Sequence, residues 1–294
     1  MKSTQTGLVV SAHGRQYRVE LEDGRLLPCV PRGKKSDVVC GDHVQIHLTS
    51  ADQGVIEQID ERKSLLYRSN EFREKLIAAN VDRLIIVCAT EPAFSDELLT
   101  RCLVAASSQD VEAIIVLNKI DLHDRLSAAR ERLAHFPALG YPVVELTATE
   151  EAELLKPWLD GRTSLLVGQS GMGKSTIINA LLPNAAAATR EISTALDTGK
   201  HTTTHATLYH LDEHSHLIDS PGLQEFGLGH LNQQELEASF PEFDDYLGQC
   251  RFRNCQHDQE PGCALQAAVA NGKIQPGRFA VFEKLLSASV KTSR

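Results

Sequence analysis

Residues 164–167 form a short apolar run that leads into Gly168-Gln169-Ser170-Gly171-Met172-Gly173-Lys174-Ser175-Thr176, and a helical pattern follows over 176–182. Strand, glycine-rich turn and helix start, in that order, spell G-x-x-x-x-G-K-S. No other stretch constrains the fold as much. Glycines let the backbone wrap a phosphate chain and turn successive N–H groups inward at the positive end of a helix. Lys174 can reach β- and γ-phosphates, and the Ser175 hydroxyl can ligate Mg²⁺. The bland alternative is a structural glycine turn. The loop predicts a nucleoside triphosphate site at the end of a strand, without saying which nucleotide.

The surroundings of the loop read as α/β. Apolar strands over 82–89, 112–117 and 142–146 alternate with helical patterns over 95–106 and 123–135, and 150–159 leads to the strand that carries the loop. Such alternation predicts a parallel sheet with helices on both faces and ligands at the strands' C-terminal ends. One of those ends carries Asn118-Lys119-Ile120-Asp121. A carboxylate at Asp121 can accept two hydrogen bonds from N1–H and the exocyclic amine of guanine, whereas adenine would leave it badly paired. Asn118 would brace the loop and contact the base, and Lys119 would lay its stem along the base plane. Thr147-Ala148 sits at the next strand end, where a backbone N–H could meet the guanine O6. Together these residues specify guanine.

Residues 1–68 read differently, as five short strands over 7–11, 16–21, 26–30, 44–48 and 54–59, with turns at His13-Gly14, Asp23-Gly24 and Gly41-Asp42. That pattern suggests a small closed barrel of the OB type, and an SH3-like barrel would look much the same. The segment has no dense aromatic platform for stacking bases. Residues 226–294 contain Cys250, Cys255, His257 and Cys263, spaced C-x4-C-x-H-x5-C, before helical patterns over 264–270 and 278–287. Thiolates and an imidazole are the ligands of a closed tetrahedral structural zinc site; unrelated buried cysteines beside a surface histidine are the alternative. Cys29, Cys40, Cys88 and Cys102 read as core residues.

The net charge of −9 argues against a protein that coats nucleic acid indiscriminately. The acidic excess lies in the middle segment, with roughly 13 basic against 22 acidic residues, and both flanking segments are near neutral. Local clusters at Arg32-Gly33-Lys34-Lys35, Arg62-Lys63 and Arg251-Phe252-Arg253 leave room for RNA contacts there, although each alone reads as a solvated face. Seven cysteines, no long apolar run and an N-terminus without a signal-peptide core point to a reducing cytoplasm and no membrane.

After the phosphate loop, Thr198-Gly199-Lys200-His201-Thr202-Thr203-Thr204-His205 is placed to act as a switch, in which Thr203 or Thr204 would complete Mg²⁺ coordination. A polar loop entering a strand is the plainer reading. Asp219-Ser220-Pro221-Gly222 follows: Asp219 would hold Mg²⁺ through water, and the Gly222 N–H could meet the γ-phosphate. The five motifs of a GTPase are thus present, with base recognition ahead of the phosphate loop. The chain resembles a circular permutation and is similar to the small-ribosomal-subunit-dependent GTPases of the RsgA/YjeQ family, nearly end to end. The resemblance implies a barrel over 1–68, a permuted GTPase domain over 69–225 and a helical zinc domain over 226–294. It also implies binding of the small ribosomal subunit and its rRNA, a role in the subunit's late maturation, subunit-stimulated hydrolysis that drives release, and a monomer off the ribosome. The family shares the Cys250, Cys255, His257, Cys263 quartet. It has an arginine where this chain has Lys200, which keeps the charge and loses the planar fork.

In Ras-like enzymes a glutamine directly after D-x-x-G orients the attacking water. Leu223 stands there and cannot hydrogen-bond, and Gln224 comes one place late. The resemblance implies His201 instead as the catalytic residue. A translation-factor-like or signalling GTPase, and an RNA-binding scaffold with a passive nucleotide site, are the competing readings. Intact Lys174, Ser175, Asp219 and Asn118–Asp121 argue against the scaffold.

Overall fold

The computed structural model describes residues 4–33, 37–70, 73–182, 206–220 and 226–292. Five strands, β1 (Thr4–His13), β2 (Gln16–Leu21), β3 (Leu26–Pro31), β4 (His43–Leu48) and β5 (Gly54–Ile59), follow the expected pattern with slightly longer ends. They pair in the order β1-β2-β3-β5-β4 and close because β1 also pairs with β4. Closure requires β1 to serve two neighbours and curve. Gly7 sits where it does so: a Cβ there would lie 2.4 Å from Val19 Cγ1. Val9, Tyr17, Val19, Leu27, Val44, Ile46 and Ile56 fill the barrel interior.

Two residues after Gly7, the β1–β2 register shifts between Val9 and Ser11, leaving Val10 as the extra residue of a bulge. Ordinary strand alternation sends neighbouring side chains to different cores at this point. Val9 faces the barrel interior, while Val10 joins the larger core beyond it.

That larger core surrounds a second strand series: β8 (Arg83–Ala89), β9 (Glu112–Asn118), β10 (Val143–Leu146), β11 (Thr163–Val167), β12 (Thr207–His210) and β13 (His216–Asp219). The order is β10-β9-β8-β11-β13-β12, all parallel except β12. Every residue of β8 is buried, as expected of a strand covered on both faces. The edge strand β12 meets β1 of the barrel through the pair Ser11–Thr207, so the barrel covers one sheet edge. The helices of this unit are α1 (Asp96–Ser107), α2 (His123–Leu133), the single turns α3 (Ala148–Glu151) and α4 (Lys156–Leu159), and α5 (Lys174–Leu181).

A hairpin without counterpart in the sequence reading joins the two units. Strands β6 (Leu65–Asn70) and β7 (Arg73–Ala79) form a hairpin across the expected boundary at residue 68. Isolated bridges tie Ala78 to Cys40 of the barrel segment and Arg68 to Phe226. The Gly227 N–H donates to the Tyr67 carbonyl at 2.9 Å.

The C-terminal part contains α6 (Gln233–Ala238), α7 (Ala264–Ala270) and α8 (Pro276–Thr292). Helix α6 starts with a reciprocal capping box between Asn232 and Glu235. Phe240, Phe243, Phe279 and Phe282 pack together, with Phe240 and Phe243 stacked at 4.8 Å. This core is continuous with that of the parallel sheet, because α8 packs on α1. Arg278 is buried between Phe136 and Phe240 and pairs with buried Glu242; Lys284 reaches Glu97 of α1 at 2.9 Å. No helix among the described residues is long and apolar enough to cross a membrane.

Candidate nucleotide and metal sites

The phosphate loop leaves β11 and enters α5 through two glycines for which no other residue would serve. Gly168 has φ +144° and a Cβ would lie 2.3 Å from the Val87 carbonyl oxygen. Gly173 has φ +96° and a Cβ would lie 2.2 Å from Asn118 Nδ2. The second contact shows how closely the loop approaches the Asn118 segment. Lys174 donates to the carbonyls of Gly168 (2.6 Å) and Gln169 (2.8 Å), curling the loop around its own ammonium. Burial pushes the Lys174 pKa down, partly opposed by Asp219. Burial likewise pushes the Asp219 carboxyl up, against the pull of Lys174. Opposite charges in a half-buried setting at adjacent strand ends suit a phosphate chain and its cation. Ser175 is exposed on the first turn of α5, beside Thr176, and Ser170 is exposed on the loop.

Asn118 joins three segments. Its side chain, in a residue only 2% exposed, donates to the Met172 carbonyl at 2.9 Å and accepts the Ala148 N–H at 3.0 Å. Lys119, held at φ +62°, sends its ammonium to the carbonyls of Gly171 and Glu91, each at 2.7 Å. Asp121 is exposed and accepts from Thr147 Oγ1 at 3.4 Å, a long contact, while Ile120 is half-buried. The Thr147 N–H goes to Glu151 Oε2 at 2.9 Å, so both backbone donors of the Thr147-Ala148 pair are engaged within the protein. The structure therefore brings Asn118, Lys119, Asp121, Thr147 and Ala148 to one rim with Gly168–Thr176 and Asp219. His201, Thr203, Thr204 and Gly222, together with Lys200, Leu223 and Gln224, lie outside the described residues.

Three contributors escaped the sequence reading. Thr90 donates to the Lys119 carbonyl at 2.8 Å and holds the N-K-x-D turn. Glu151 caps the Thr147 N–H, and Ser95 meets Gln169. A lone threonine after a strand carries no signal. Ser95 before Asp96-Glu97 is a helix-start signature, but nothing local points to its remote partner.

Cys250, Cys255, His257 and Cys263 converge, with one ligand atom from each lying within 4.8 Å of the others. His257 Nδ1 is 3.7 Å from Cys250 Sγ and 3.4 Å from Cys263 Sγ. A tetrahedron with bonds of about 2.0–2.3 Å has edges of about 3.3–3.8 Å, which both His257 distances match, so the donor set could hold one metal ion. His257 Nε2 contacts Glu237 Oε1 at 3.0 Å, which assigns Nδ1 to the metal, and Gln233 bridges Glu237 and the Cys255 carbonyl. Cys250 Sγ also accepts the Ala264 N–H at 3.3 Å, where α7 begins. Cys29, Cys40, Cys88 and Cys102 are buried elsewhere, and burial pushes the Cys29 and Cys88 thiols up to about 11 and 12.

Residues 59–229 match the family described as RsgA GTPase. The small ribosomal subunit biogenesis GTPase RsgA of Burkholderia pseudomallei (strain K96243) is 55% identical over 285 residues, covering 95% of this chain and 91% of that protein. The protein of the same name from Bordetella pertussis is 54% identical, covering 97% of each. Among solved structures, YjeQ from Thermotoga maritima is similar with a TM-score of 0.73 at 32% identity, covering 98% of this chain and 99% of that one. The circularly permuted GTPase YloQ is similar with a TM-score of 0.70 at 25% identity, covering 99% and 96%.

Proposed function

The chain belongs to the RsgA GTPase family, and from that premise we propose that it hydrolyses GTP while assisting late maturation of the small ribosomal subunit. The observation that carries the reading is the Asn118 side chain. It ties the phosphate loop to the Thr147-Ala148 turn, which supports reading these segments, in permuted order, as one guanine nucleotide site.

In this reading Asp121 accepts N1–H and the exocyclic amine of guanine, and Lys119 lies along the base. The Thr147-Ala148 turn borders O6, so a backbone N–H there would turn from its internal partner toward the base. Gly168–Thr176 wrap the phosphates, and Lys174 exchanges two loop carbonyls for phosphate oxygens, a stronger charge-assisted contact. Ser175, Thr203 or Thr204, and Asp219 through water would hold Mg²⁺, which when bound neutralises charge on the β- and γ-oxygens. The Gly222 N–H meets the γ-phosphate, and His201 positions the attacking water. Zinc is the ion for the Cys250, Cys255, His257, Cys263 set, since three thiolates and one imidazole match its structural chemistry.

The division into a barrel (1–68), a GTPase domain (69–225) and a zinc domain (226–294) belongs to the same reading. The barrel and zinc domains contact rRNA, and the protein acts in the cytoplasm as a monomer off the ribosome. Hydrolysis is slow until the small subunit binds and stimulates it, and it drives release. Turnover measured with purified small subunits, with large subunits and without either tests the proposal. Strong stimulation by small subunits alone is expected. Activation only by another partner would assign a different role, and no turnover under any condition would leave a passive nucleotide site.

A further inference from the structure

Helix α1 begins with Ser95 as its N-cap, whose Oγ accepts the Leu98 N–H at 3.2 Å. In a reciprocal capping box the residue at the third helical position accepts the N-cap's own N–H in return. Helix α6 does this with Glu235. In α1 that position is Leu98, which has no acceptor. The Ser95 N–H goes instead to Gln169 Oε1 at 2.7 Å, across 74 residues and from inside the phosphate loop.

The contact matters because of what flanks it. Gly168 and Gly171 both have positive φ, and glycine loses more conformational freedom on ordering than any other residue. This part of the loop therefore holds its shape through side-chain contacts. Gln169 is fastened twice: its carbonyl accepts from Lys174 at 2.8 Å, and its side chain accepts from Ser95. Helix α1 in turn carries the C-terminal helix α8 through packing and the Glu97–Lys284 pair.

We propose that Gln169 is a positioning residue: it completes the cap of α1 in trans, holds the first peptides of the phosphate loop ready for a triphosphate, and links loop occupancy to α1. The inference rests on the reading of the loop as a nucleotide site. A site already shaped loses less entropy on binding, and by reciprocity the nucleotide tightens the cap.

The test uses the full chain with GTP and GDP binding read by titration and the Ser95 amide read by hydrogen exchange. Wild type gains protection at Ser95 with nucleotide. Gln169→Ala weakens both nucleotides by about 3- to 10-fold, the worth of one hydrogen bond, and speeds exchange at Ser95. Adding Leu98→Gln to Gln169→Ala supplies a local cap, which restores Ser95 protection but not nucleotide affinity, because the loop stays untied. Affinity and protection unchanged in Gln169→Ala, or affinity regained in the double variant, overturns the proposal. If Gln169→Ala does not fold, Gln169→Glu keeps an acceptor of the same reach and the Ser95 amide stays protected; rapid exchange there overturns it equally. Wild type that binds neither nucleotide would instead remove the reading of the site itself.

Discussion

Removing the Asn118 side chain with Asn118→Ala takes away two hydrogen bonds in a nearly solvent-free position. The Met172 carbonyl and the Ala148 N–H are both left without their partner. An orphaned buried polar group costs about 1–3 kcal/mol, so the pair amounts to about 2–6 kcal/mol, with the lower figure applying if water enters the vacated space. For a chain of this size that lowers Tm by roughly 4–12 °C. The damage is not confined to stability. With the phosphate loop and the Thr147-Ala148 turn no longer tied, base and phosphate contacts lose their mutual register, and guanine nucleotide affinity falls at least about tenfold, the equivalent of about 1.4 kcal/mol. Thermal melts of nucleotide-free protein measure the first effect, and titration with a fluorescent GDP measures the second. A variant that melts within about 2 °C of wild type would refute the premise that these two contacts are buried and structural.

Asp121→Asn is expected to weaken guanine nucleotides and favour xanthine ones, because it exchanges an acceptor for a donor where the base changes likewise; equal binding of GTP and ATP by wild type would dispose of the guanine assignment. Cys263→Ser should cost the C-terminal part its metal and its cooperative melting, and metal analysis finding no zinc in chelator-free wild type would count against the ion proposed. Burial holds the Asp219 pKa above its usual range, which makes its ionised form a burden on the fold that grows as pH rises from the unfolded value through the folded one. Asp219→Asn should therefore raise Tm at pH 7, by less as pH falls toward the ordinary carboxylate range, while abolishing Mg²⁺-dependent turnover; a lower Tm at pH 7 contradicts this. His201→Ala should remove subunit-stimulated turnover by about 10²-fold or more with nucleotide affinity preserved, and stimulated rates equal to wild type would dismiss its role.

Much of the architecture can be read from periodicity because these elements obey local rules. The barrel strands alternate between glycine turns, and β8, β9 and β11 are continuous apolar runs of the kind a doubly covered sheet needs. The β6–β7 hairpin could not be read this way. Its second strand starts Arg73-Glu74-Lys75, residues of low strand propensity, and it is held by partners from Cys40 and Phe226 that are distant in sequence. Helix α6 does announce itself, since Asn232 followed by Glu235 is a capping box, but its short length hides it among loops. At the nucleotide site the motif residues are legible because each is fixed by chemistry. Their supports, Thr90, Ser95 and Glu151, act through single hydrogen bonds to backbone brought near only by folding. The same holds at the metal cluster: the four donors are visible as a spacing, whereas Glu237 becomes meaningful only once it meets His257.

The packing of α8 on α1 has a bearing on how the chain can be divided. Helix α1 lies between β8 and β9 on one side and α8 on the other, and Arg278 is buried between Phe136 and Phe240. A fragment ending at residue 225 would bare that side of α1 and the Phe136 ring to water, and the remainder would surrender the surface that Phe240 and Arg278 cover. Each piece would lose part of its apolar cover on separation. Truncations near that boundary should accordingly yield poorly soluble protein rather than a working nucleotide-binding half.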